Sequence, residues 1–149
     1  MNTQRKLVSL VGAATLVCSL SLAIAQSQSG SVYVESAKTD FKEVIPGVSK
    51  KVLWGNPDVG PYGSFTKFGP GLVNPMHTHS SEIRIVVLKG AYIYTPQSGS
   101  EQRVGAGTFI SVPAGAVHVS SGDAKEGGLF YEESSGKFDL SIVDSKSVK

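Results

Sequence analysis

Turn-forming residues interrupt this chain so often that a helix of ordinary length has nowhere to form. Pro46-Gly47, Gly55-Asn-Pro-Asp-Val-Gly-Pro61, Gly105, Gly107, Pro113-Ala-Gly115 and the Gly-rich residues 122–128 mark turns or loops. Between them lie short runs rich in β-branched and aromatic residues, at 32–34, 41–45, 50–54, 63–68, 92–95, 103–104, 108–112, 116–120, 129–131 and 138–143. None of these carries a helical period. Short strands at close, even spacing predict an all-β fold, an antiparallel sandwich or small barrel.

The chain has three histidines, and all lie in two glycine-bounded stretches. Alternate side chains of a strand share a face, so His77 and His79 point the same way and their imidazoles can meet on one ion. The third, His118, follows the turn-rich stretch that begins at Gly107. Together they predict a site for one divalent metal ion, of iron, manganese, zinc, copper or nickel, with positions left open for a small molecule. The same alternation puts Ile83, Ile85 and Val87 on the histidine face and Val86 and Leu88 on the other. Glu82 is a fourth candidate ligand, yet it faces away unless a bulge at Ser80-Ser81 shifts the register. Tyr92, which follows an expected hairpin turn at Gly90, joins Ile83, Tyr94 and Phe130 as candidate walls of the pocket. A strand that is apolar on both faces also predicts a homodimer through the Val86 and Leu88 surface.

These two stretches resemble the motifs of the cupin superfamily. Gly71, His77, His79 and Gly90 fit the first motif, in which a Gly is followed after five residues by His-x-His, then by a Glu and a closing Gly. Gly107, Pro113, Gly115 and His118 fit the second, a Gly followed after five residues by Pro-x-Gly-x-x-His. Two positions depart: Ile83 stands where the motif has its Glu, and Gly122 where the second motif has Asn. The resemblance implies an antiparallel jelly roll and a bound metal, and it alone implies oxygenase-like chemistry.

The first residues read as a secretory leader. Arg5 and Lys6 precede an apolar run over 7–24, and Ala23-Ile24-Ala25 offers a small-residue cleavage site before Gln26. The expected organisation is a signal peptide at 1–25, a Gln/Ser/Gly-rich tether at 26–31 and one domain at 32–145, in a secreted or periplasmic protein with no stable membrane anchor. Cys18 is the chain's single cysteine and lies in the leader, so the mature protein has no disulfide. Without Arg5 and Lys6, 12 basic residues balance 12 acidic ones, which argues against a nucleic-acid partner. Two functions fit: a metalloenzyme acting on a small organic substrate, or a non-catalytic binder of a metal or small ligand.

Overall fold

The computed structural model describes residues 30–144. The chain divides into two units, Met1–Val32 and Tyr33–Lys149, and the expected leader lies outside the described residues, as do residues 26–29 of the expected tether. The described residues of the second unit hold ten strands and no helix. In order these are β1 Lys42–Ile45, β2 Val48–Gly55, β3 Tyr62–Phe68, β4 Val73–Thr78, β5 Ile83–Pro96, β6 Gln102–Gly105, β7 Phe109–Val112, β8 His118–Gly122, β9 Gly128–Ser134 and β10 Ser141–Ile142. Their hydrogen-bonded order is β1-β2-β3-β9-β5-β8-β4-β10, with β6 and β7 also paired to β5, and every pairing is antiparallel.

β5 is what curls the sheet into a barrel. Its first half pairs with β9 and β7, and its second half with β8 and β6. The change of partner falls at Gly90, where the sequence suggests a hairpin turn, but β5 continues through it without reversing. The ladder to β9 is irregular between Val87 and Lys89, and Gly90 has φ 69°. An added Cβ there would lie 2.2 Å from the Gly127 carbonyl oxygen, so the corner needs glycine. Two other expectations are corrected. Residues 32–34 form no strand, and Val32 and Tyr33 are more than four-fifths exposed, so a β-prone run with no partner has nothing to bury. The last expected strand, 138–143, shrinks to β10, and the residues before it are irregular.

The interior divides into an apolar part and a polar part. Ile83, Ile85, Val87, Tyr92, Val104, Val112 and Phe130 form the apolar core, with Phe68 packed edge-on to Phe130 at 5.0 Å between ring centres. Burying a ring such as Phe130 completely stabilises the fold by about 1.5–3 kcal/mol. On β2, β3 and β9 the same inward faces carry Lys50, Ser64, Thr66, Glu132 and Ser134, all buried. This polar patch adjoins the histidines.

Candidate metal centre

His77 on β4 and His118 on β8 are directly paired across the ladder, and His79 follows one residue beyond the end of β4. The ladder breaks register between Asn74 and His77, around Pro75, which lacks a backbone N–H to donate. Each imidazole is held by a backbone carbonyl. Nδ1–H of His77 donates to Pro75 at 2.6 Å, that of His118 to Ala116 at 3.0 Å, and that of His79 to Asp139 at 2.5 Å. A carbonyl only accepts, so each Nδ1 carries a proton, which leaves Nε2 as the nitrogen that can bind an ion. That is the outer shell a metal-binding histidine needs.

The three potential ligand atoms all lie within 4.8 Å of one another. His118 Nε2 is buried and has no hydrogen-bond partner among the described residues, a condition that costs about 1–3 kcal/mol unless something fills it. Burial pushes the His77 pKa down to about 4, against the Pro75 carbonyl and with help from the neighbouring histidines, and burial likewise lowers that of His118. Both rings are therefore neutral near pH 7, the form that binds metal. Three converging imidazoles, one with an orphaned buried nitrogen, fit a divalent ion.

Glu82 is not among the converging groups. Its Oε2 accepts from Arg84 at 2.6 Å and its Oε1 from Ser111 Oγ at 2.6 Å, hydrogen bonds that, with Arg84 first, hold the carboxyl below the usual range. The reason is local: the chain bends at Ser80-Ser81, β5 starts only at Ile83, and Ile83 takes the inward position. Arg84 is accordingly occupied on the outer face.

A chamber of about 30 Å³, room for roughly two waters, lies against His77 and His79. Of the expected walls, Ile83 and Tyr92 line it. Phe130 does not, being sealed in the core, and Tyr94 instead stacks beside His118 with ring centres 5.3 Å apart. Lys50, Glu132 and Phe138 also line the chamber. Lys50 and Glu132 form a buried ion pair; Tyr62 donates to Glu132 Oε1 at 2.6 Å and Lys50 Nζ to Thr66 Oγ1 at 3.1 Å. Burial works to raise the Glu132 pKa, but the Lys50 charge and the surrounding hydrogen bonds outweigh it, so the carboxyl is held low and ionised. Burial also lowers Lys50, while burial and the Glu132 charge raise Tyr62 well above the ordinary phenol range. Sequence reasoning missed Lys50. The signal was the period-two alternation of Val48 with Lys50 and of Phe130 with Glu132.

A curled antiparallel barrel with histidines converging from β4 and β8 defines a cupin. The chain belongs to the family of the ChrR cupin-like domain, whose profile matches residues 29–141. Among solved structures, it resembles KdgF from Halomonas sp., with 22% identity over 72% of this chain and 94% of that one and a TM-score of 0.57. It also resembles the polyketide cyclase RemF from Streptomyces resistomycificus, with 19% identity over 77% of this chain and 87% of that one and a TM-score of 0.63. For the DMSP lyase DddQ from Ruegeria pomeroyi the figures are 15% identity, 72% of this chain, 62% of that one and a TM-score of 0.58. At these identities the likeness is one of fold. No curated protein matches the chain in sequence.

Proposed function

We propose that this chain is an exported, metal-dependent enzyme that moves protons on a small anionic organic substrate. The observation that carries the proposal is the buried Glu132–Lys50 pair lining the same chamber as His77 and His79. When bound, a divalent ion would supply a Lewis acid that polarises a substrate oxygen. His77, His79 and His118 would hold it without neutralising it, which favours an anionic substrate. Glu132, kept ionised, is the acceptor for a substrate proton; Lys50, whose pKa burial lowers, is the donor that returns one. Tyr62 stays protonated and fixes the Glu132 carboxylate. Phe138 helps keep bulk water out. That two structural relatives are a polyketide cyclase and a lyase supports an enzymatic reading.

The test is metal-dependent deuterium exchange from solvent into a panel of small carboxylic and 2-oxo acids. The wild type should catalyse it, and Glu132→Gln should lose about 10²–10⁴-fold with its metal content intact. Undiminished exchange would remove Glu132 from the chemistry, and oxygen consumption by an iron form would favour the oxygenase expected from the resemblance. A non-catalytic binder is the second reading, favoured by a chamber of about 30 Å³ that admits water but no organic molecule as it stands. Export rests on the leader, and intact mass of the recovered protein checks it: the chain should begin at Gln26. The homodimer rests on Val86 and on Leu88, which is 43% exposed, and light scattering at micromolar concentration should give twice the chain mass.

A further inference from the structure

Beside the metal chamber lies a second space. A cleft of about 570 Å³ opens between β1, β2 and the loop that follows β2, and only Lys50 and Phe138 line both it and the chamber. Lys50 Nζ sits 4.7 Å from the centre of the Phe138 ring, so the partition is one ammonium with one ring against it. Lys50 is locked by Glu132 and Thr66, whereas no hydrogen bond can hold a phenyl ring. We infer that Phe138 divides a single substrate cavity in two, and that the substrate is a carboxylate with a hydrocarbon tail whose head reaches the metal while its tail fills the outer cleft. This rests on the metal-dependent reading above.

The backbone around Phe138 says how the partition opens. Phe138 N–H donates to the Pro57 carbonyl at 2.7 Å; the next residue, Asp139, accepts from His79 Nδ1 through its carbonyl and from Ser80 N–H at 2.8 Å through Oδ1. Moving this segment as a whole would release His79, and with it the metal. The ring must therefore swing alone, by rotation of its side chain, while the backbone stays in place. Head and tail differ in their surroundings. The chamber is faced by His77 and His79, while the cleft offers Val44, Val52 and Pro57 as apolar walls, with Lys42, Glu43 and Asp58 around them. The metal's uncompensated charge selects an anionic head, and the apolar walls select the tail.

The experiment uses the full chain loaded with cobalt(II), whose visible spectrum reports a ligand reaching the ion, with acetate and 4-phenylbutyrate as probes. Phe138→Ala should speed association of 4-phenylbutyrate at least tenfold and change that of acetate less than twofold, with cobalt affinity unchanged within about twofold. Val52→Glu, which places a charge on the cleft wall, should weaken 4-phenylbutyrate at least tenfold and leave acetate alone. Equal effects on both probes, or none, in a cobalt-loaded protein would overturn the divided cavity while sparing the metal centre. A chain that takes up no cobalt would overturn both.

Discussion

Two buried polar clusters share one barrel interior, and they are built on opposite plans. Around Lys50 and Glu132 opposite charges meet, and Tyr62 and Thr66 take up further hydrogen bonds. The histidine cluster is anchored only from behind, through three Nδ1–H groups, and leaves a buried Nε2 with no partner. A satisfied cluster answers to the protein itself, whereas an unsatisfied one answers to something that binds. The difference marks the histidines as the place for an ion, whereas the proton transfer proposed for the pair rests on its position beside the same chamber.

The comparison breaks most visibly if the ion pair is broken. Lys50→Met should cost about 3–5 kcal/mol in urea unfolding, because it strands the Glu132 carboxylate in the interior. Adding Glu132→Leu should recover most of that loss. By contrast, His118→Leu in metal-free protein should cost about 1 kcal/mol or less, since the lost Nδ1–H bond to Ala116 is offset by removing a buried nitrogen that had no partner. Equal losses in Lys50→Met and His118→Leu would erase the distinction.

Acid separates the clusters next. The folded His77 pKa, about 4, lies below its ordinary 6.5, so the unfolded chain takes up that proton first. Its contribution to metal-free stability is complete above about pH 6.5, is lost as pH falls from there to about 4, and is constant below. Glu132, held low, contributes above the ordinary carboxylate pKa and loses that contribution only as pH falls through its depressed value. Denaturant midpoints measured with a chelator across this range should therefore show the histidine loss first. His77→Gln should flatten that upper part of the profile, and an unchanged slope would count against a buried neutral His77.

The smallest effect belongs to Glu82. Because its oxygens already serve Arg84 and Ser111, Glu82→Gln should leave metal affinity, measured by competition with a chelator, within a few-fold of the parent. A fall of 10–100-fold, typical of losing a group that supports a ligand, would place the carboxylate back at the site.

What the sequence revealed follows the reach of its signals. Period-two alternation and Gly/Pro punctuation act locally, so the all-β class, most strands and the histidine face were legible from short windows. Gly90 was misread because whether a glycine turns or continues a strand depends here on the Gly127 carbonyl, far along the chain. Lys50 was missed because a lysine in a strand is usually solvated, and only its meeting with a carboxylate 82 residues away makes burial tolerable. The carbonyl that orients His79 comes from Asp139, in a stretch whose composition reads as a strand but whose backbone is irregular there. Glu82 was placed away from the histidines by strand alternation; a bend between β4 and β5 is what puts it there.

The most direct measurement is metal stoichiometry. Protein stripped with chelator, reloaded with zinc and freed of excess should hold one ion per chain by elemental analysis, and His118→Ala treated alike should hold almost none. A wild type that retains no zinc, or a His118→Ala protein that retains a full equivalent, would contradict a centre built from β4 and β8 together.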